Sequence, residues 1–376
     1  MKSFKGTAMK FKYALLLVAF SLGTHQESQA NCRSKLKKVV IGTLGTLGLG
    51  AGYAAAENFQ TEPNSLKIFP KAKTVDRNKM ETILVTFIGD SLFTSFELAS
   101  PIFNLWDLRT KQFNSPILDN SDSPDSVQSF SELMQTWSEE IGTSKAIELV
   151  NLSRGGAHVL PVKSFFRQKV IKSYNFDQQV DSILEMKTKP NLVGVWIGHN
   201  DTDWLENSNS VFPLTKELLS QREFLFGKEF ENQLSRLSKS LSPGAEIVVF
   251  KLLDFRKNFK ARATAEQIYF GKDRNSSSYP YLEECYSLCK GYFPEVREGL
   301  AQSVDRFNLQ IDKAALKVQL ESPKIKVTVS ENIYIEMDYA LEDISNLDAW
   351  HFSVKGRSKL AKIVFDALVP KVQKLL

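Results

Sequence analysis

The sequence predicts an α/β protein built on a parallel sheet, and three observations carry that expectation. Short apolar, β-branched runs recur at residues 82–88, 146–152, 192–197, 247–253 and 325–329. Stretches with helical spacing of their apolar residues lie between them, and strands alternating with helices make a doubly wound α/β fold. Several runs also stop abruptly at glycine and polar residues, as buried strands do when they deliver side chains to a strand end.

The first run ends at Gly89-Asp90-Ser91. In open α/β sheets ligands bind at the carboxyl ends of strands, so Ser91 falls where chemistry is done. Taken alone, the tripeptide equally reads as a strand-to-helix turn with an N-cap. Residues 101–125 follow, with Trp106 and several Asn and Asp residues, as a long irregular insertion that walls the substrate site. The spacing of Phe130, Leu133, Met134 and Trp137 predicts a helix over 127–141 with a core-facing stripe.

The second strand, 146–152, runs into Ser153-Arg154-Gly155-Gly156-Ala157. A glycine pair lets backbone approach a ligand closely and turns N–H groups outward, though a plain turn would look the same. Arg154 beside it is either a phosphate-attracting cation or a solvated surface residue. An amphipathic helix over 176–186 is closed by Lys189-Pro190, and the third strand, 192–197, ends in Gly198-His199-Asn200-Asp201. A long helix over 214–241 stops at Pro243-Gly244, and the fourth strand covers 247–253. Residues 254–294 have weak periodicity and read as a second insertion over the site. A helix over 295–320, the fifth strand, then Asp348-Ala349-Trp350-His351 and a C-terminal helix over 355–368 complete the chain.

Composition bounds the function. With 43% hydrophobic and 24% charged residues the chain is globular, and 376 residues are ample for a sizeable core. A net charge of +5, without a basic block interleaved with aromatics, argues against nucleic acid as a partner. No metal cluster, phosphate-binding glycine loop or dinucleotide fingerprint stands in the sequence, so no cofactor and no metal are expected. Cys285 and Cys289 lie four apart in a loop-like stretch: a small disulfide in an oxidising compartment, loop thiols in a reducing one.

The N-terminus reads as a secretory signal over residues 1–30: Lys10 and Lys12, an apolar run over 13–22, then Ser28-Gln29-Ala30 as a cleavage pattern. A Gly-rich apolar run over 39–56 reads as a peripheral or membrane-associating segment rather than a span. With the polar stretch 59–79, carrying Pro63 and Pro70, it makes a linker over 31–79 into a catalytic domain over 80–376.

Four clusters therefore sit at strand ends along one edge: Ser91; Gly155 with Gly156; His199 with Asn200; and Asp348 with His351. Acyl transfer needs a nucleophile, a base, a group to fix the base, and donors for the oxyanion, and this set contains each residue type. Gly89-Asp90-Ser91-Leu92, Gly156 five residues after Asn151, Gly198-x-Asn200-Asp201 and Asp348-x-x-His351 resemble the four blocks of the SGNH (GDSL) hydrolase family, in order, over residues 83–376. Within it the chain looks most similar to phospholipase B, through Trp196-Ile197-Gly198-x-Asn200-Asp201, the Cys285/Cys289 loop and His351-Phe352-Ser353.

The resemblance implies a flavodoxin-like three-layer α/β/α fold with a central five-stranded parallel sheet. It further implies Ser91 as nucleophile, His351 as base, Asp348 as its orienting carboxylate, and Asp90 as support. The N–H groups of Ser91 and Gly156 with the Asn200 amide would form the oxyanion hole. His199 fills a slot the family often gives to a small residue, making the pocket tighter or more polar. His158, which has no carboxylate near it in the sequence, is expected to pack or line the rim. The expected activity is a secreted or periplasmic serine esterase acting on lipid acyl esters, phospholipids or lysophospholipids, in contact with a membrane surface. The same blocks would serve a carbohydrate O-acetyl esterase, and a binding protein that kept the fold would have no need of a serine with its base.

Overall fold

A mixed six-stranded sheet organises the protein. The computed structural model describes residues 64–69, 80–93, 117, 128–154, 157–161, 175–202, 216–271, 294–345 and 350–376. The strands are β1 (Asn64–Ile68), β2 (Thr82–Gly89), β3 (Ala146–Asn151), β4 (Leu192–Trp196), β5 (Glu246–Phe250) and β6 (Lys326–Ser330), arranged β1-β3-β2-β4-β5-β6. β2 to β6 pair in parallel and are the five strands that the apolar runs predict. Each of β3 to β6 is fed by a crossover containing a helix, which leaves the sheet covered and its strands apolar.

The sixth strand, β1, corrects the sequence reading. It pairs antiparallel with β3, Leu66 opposite Leu149, in a stretch read as linker, so the sheet begins at Asn64 and not after residue 79. Its signal is faint because it is a five-residue edge strand between Pro63 and Pro70, with only Leu66 and Ile68 apolar.

The helices are α1 (Phe130–Ile141), α2 (Phe176–Glu185), α3 (Lys216–Ser240), α4 (Phe255–Gly271), α5 (Pro294–Glu321), α6 (Asn332–Glu336) and α7 (Val354–Leu375). They fall into packed groups around the sheet, α1 against α7 and α2, α3 and α5 together. α1 starts at a capping box: Ser129 Oγ accepts the Glu132 N–H at 3.3 Å while the Glu132 carboxylate accepts the Ser129 N–H at 2.7 Å. Phe130 and Met134 are fully buried, as the stripe predicts, with Trp137 packed against the same core.

α4 is the second correction. It occupies the first part of the stretch read as an irregular insertion, and the reason the period was missed lies in its buried face: Phe255, Phe259, Ala261, Arg262 and Ala265. An arginine at a core position breaks the hydrophobic pattern. Its guanidinium lies 5.8 Å from the Trp350 ring and 3.3 Å from Glu266. Among the described residues no helix is long and apolar enough to cross a membrane. The expected signal, the run 39–56 and the insertion 101–125, Ile117 apart, lie outside the described residues.

Candidate active site

Register brings the site together. Gly89 pairs with Trp196, so the turn after β2 and the turn after β4 begin side by side. Gly89 must be glycine: a Cβ there would stand 2.9 Å from the Phe93 ring, Ser153 Oγ and the Trp196 carbonyl alike. The turn after it closes with Phe93 N–H donating to the Asp90 carbonyl at 3.2 Å, and Asn151 Nδ2 donates to the Phe93 carbonyl at 3.0 Å. Ser91 rides on this turn, nearly buried.

His351 arrives from the far end of the chain. A short antiparallel bridge joins Ile344 to Phe352, with Ser345 N–H donating to the His351 carbonyl at 2.7 Å and Ser353 N–H to the Asp343 carbonyl at 2.9 Å. Ser353 then caps α7, taking the Gly356 N–H at 3.2 Å. The result sets His351 Nε2 3.3 Å from Ser91 Oγ, across 260 residues of sequence. A hydroxyl at that distance from an imidazole nitrogen can pass its proton to the ring as it attacks; such contacts tighten when substrate binds.

Asp90 lies fully buried beneath the turn. Its Oδ1 accepts the Leu92 N–H at 3.1 Å, and its Oδ2 accepts the His199 backbone N–H at 3.3 Å and faces His199 Nδ1 at 2.8 Å. His199 Nε2 in turn accepts the Leu253 N–H at 3.2 Å. Both ring nitrogens are thus engaged beneath the site, a different outcome from the polar pocket lining that the sequence suggests.

The 3-10 turn His199–Thr202 follows Gly198, whose φ of 133° and closeness to Phe226 exclude a side chain. Asn200 Nδ2 donates to the Ala157 carbonyl at 2.9 Å, spending one of its two N–H bonds on the loop after β3. Fully buried Asp201 grips the same loop, Oδ2 taking the Val159 N–H at 2.8 Å and Oδ1 the Leu160 N–H at 2.9 Å. Asp201 Oδ1 also lies 3.8 Å from His158 Nδ1, so that histidine does have a neighbouring carboxylate, 43 positions on in sequence and invisible there.

Of the residues that the sequence singles out, Ser91, Asp90, His351 and Asn200 stand at one sheet edge on the geometry above. Gly155, Gly156, Asp348, Cys285 and Cys289 lie outside the described residues. Sequence reasoning missed Gln179, buried on α2, which bonds both the N–H and the carbonyl of Gly89. A lone glutamine in an amphipathic helix carries no signal for that.

A mostly parallel α/β sheet whose carboxyl edge sets a serine hydroxyl against a histidine ring is the framework of a serine hydrolase. The GDSL-like lipase/acylhydrolase family model matches residues 85–364, and the chain belongs to that family of ester-cleaving hydrolases. No curated protein matches the chain. Similar solved structures include an extracellular lipase of Streptomyces rimosus, 14% identical, covering 76% of this chain and 99% of its own with a TM-score of 0.37. A family 3 carbohydrate esterase of Clostridium thermocellum is 13% identical over 78% of this chain and 99% of its own, TM-score 0.38. A phospholipase A1 of Streptomyces albidoflavus is 12% identical over 75% and 97%, TM-score 0.35.

Proposed function

We propose that the protein is a secreted serine esterase that hydrolyses acyl esters of lipids, a phospholipase or lysophospholipase of the phospholipase B kind. The observation that carries the reading is the 3.3 Å contact between Ser91 Oγ and His351 Nε2. Ser91 attacks the ester carbonyl, and His351 takes its proton and returns it to the leaving alcohol. Asp348, three residues earlier, orients the ring and stabilises its charged form. The N–H groups of Ser91 and Gly156 and the second N–H of Asn200 receive the oxyanion, each such donor lowering the barrier by about 3 kcal/mol. Acyl-enzyme forms and water releases it, with the same imidazole as base.

The lipid class is favoured by the apolar segment 39–56, which would bring the enzyme to a membrane surface. Two measurements test the proposal. A fluorophosphonate probe should label the wild-type protein and lose its label in Ser91→Ala; equal labelling of both would end the serine-esterase reading. Hydrolysis of lysophosphatidylcholine should exceed that of acetylated xylan or acetylated sugars, and the reverse order would replace the lipid substrate with a carbohydrate ester.

A further inference from the structure

We propose that His199 is a positioning residue for Ser91, acting through Asp90; this rests on the reading of Ser91 as nucleophile. The histidine links two strand ends. On one side it meets Asp90 through Nδ1 at 2.8 Å, and on the other its Nε2 meets the Leu253 N–H, just after β5, at 3.2 Å. An N–H pointing at Nε2 requires a lone pair there, so the ring proton sits on Nδ1 and is donated to Asp90. The far anchor is itself fixed: Asn308 on α5 accepts the Leu252 N–H at 2.8 Å and donates to the Leu252 carbonyl at 3.2 Å.

The ring has little room to move. It stands edge-on to Trp196, centroids 4.8 Å apart at 81°, and 6.2 Å from Phe255. A continuous brace therefore runs from α5 through Leu252 and Leu253, across the imidazole, into the carboxylate whose next residue is Ser91. With Asp90 also holding the Leu92 N–H, the turn carrying the serine is bound on both flanks. The consequence is directional placement of Ser91 Oγ toward His351, which a shift of under an ångström in the turn would spoil.

The two amide side chains separate this role from packing, because an asparagine amide falls near the place of Nδ1 and a glutamine amide near that of Nε2. His199→Asn keeps a side-chain donor for Asp90 and loses Leu253; His199→Gln keeps an acceptor for Leu253 and leaves Asp90 only the backbone N–H of residue 199. Both vacate space beside Trp196, so both should lower the melting temperature by similar amounts. The second-order rate of fluorophosphonate labelling at Ser91 should stay within about threefold of wild type in His199→Asn and fall by about a hundredfold in His199→Gln.

Equal slowing in the two variants, or none in either, would overturn the positioning role while leaving Ser91 as nucleophile. Failure of wild type itself to label at Ser91 would remove both readings. If His199→Gln does not fold, Asp90→Asn takes its place: one carboxylate oxygen becomes an NH2 facing a donor, and the same large loss of labelling rate is expected. A labelling rate near wild type in Asp90→Asn would again overturn the role.

Discussion

Gln179 holds both backbone polar groups of Gly89, its Oε1 accepting the Gly89 N–H and its Nε2 donating to the Gly89 carbonyl, each at 2.9 Å. A helix side chain thereby clamps the last residue of β2, two positions before the serine. Gln179→Leu keeps the volume and removes both bonds. The Gly89 carbonyl would keep the Arg154 N–H, 3.0 Å away, but the buried Gly89 N–H would lose this acceptor. The expected cost is about 2–3 kcal/mol in urea denaturation. A Leu variant as stable as wild type would show that the clamp contributes nothing.

Asp201 should prove as important to turnover as to stability. Its two oxygens take the N–H groups of Val159 and Leu160, and residues 157–160 immediately follow the glycine pair expected to serve the oxyanion. Asp201→Asn offers one acceptor oxygen and turns an NH2 toward the other N–H. The variant should lose about 1–3 kcal/mol of stability. In steady-state kinetics kcat should fall while KM changes little, since the loop would serve the transition state more than the bound ester. A rise in KM alone would place Asp201 in substrate binding instead.

Tyr339 gives the protein a sensitivity to alkali. Its ring stacks on Phe352 at 5.5 Å, next to His351. Burial pushes its hydroxyl well above the ordinary 10.0, the negative charges of Asp343 and Asp254 add to this, and a hydrogen bond with Asn258 pulls the other way. A group whose folded pKa is raised stabilises the fold fully below its unfolded value, and that stability drains as pH climbs through the folded one. Stability should therefore fall from about pH 10 upward in wild type, and fall less steeply in Tyr339→Phe. Identical alkaline unfolding curves for the two proteins would remove Tyr339 from the account.

How much of this was legible beforehand follows from the range of each interaction. β2, β4 and β5 are readable because a short, mostly apolar and β-branched run is a local fact, and so is the stop at Gly89-Asp90-Ser91. Ser91 and His351 are readable as types at expected places, although their 3.3 Å approach depends on β2 and on the Ile344–Phe352 bridge at once. Gln179, the Asp201 grip and the carboxylate beside His158 are not, because each joins a side chain to a group 40 or more positions away. α4 is hidden by a different cause, the buried Arg262 interrupting its apolar face.

Gly356 is where the placement of His351 can be tested without touching the site. It lies in the first turn of α7, and a Cβ added there would sit almost on the Asp343 carbonyl oxygen. That carbonyl accepts the Ser353 N–H at 2.9 Å, one of the paired bonds, with Ser345 N–H to the His351 carbonyl, that fix the strand-like segment carrying His351. Gly356→Ala must displace Asp343 or the start of the helix, and either movement carries His351 away from Ser91. Backbone crowding of this kind costs about 1–3 kcal/mol. The variant should also label more slowly with fluorophosphonate when assayed well below its melting temperature, whereas Lys362→Ala, on the exposed side of the same helix, should leave stability within about 0.5 kcal/mol. If Gly356→Ala loses stability yet labels Ser91 at the wild-type rate, the segment between Asp343 and Ser353 holds the helix and not the imidazole, and the position of His351 must be set from the other side, by Trp350 against Phe255.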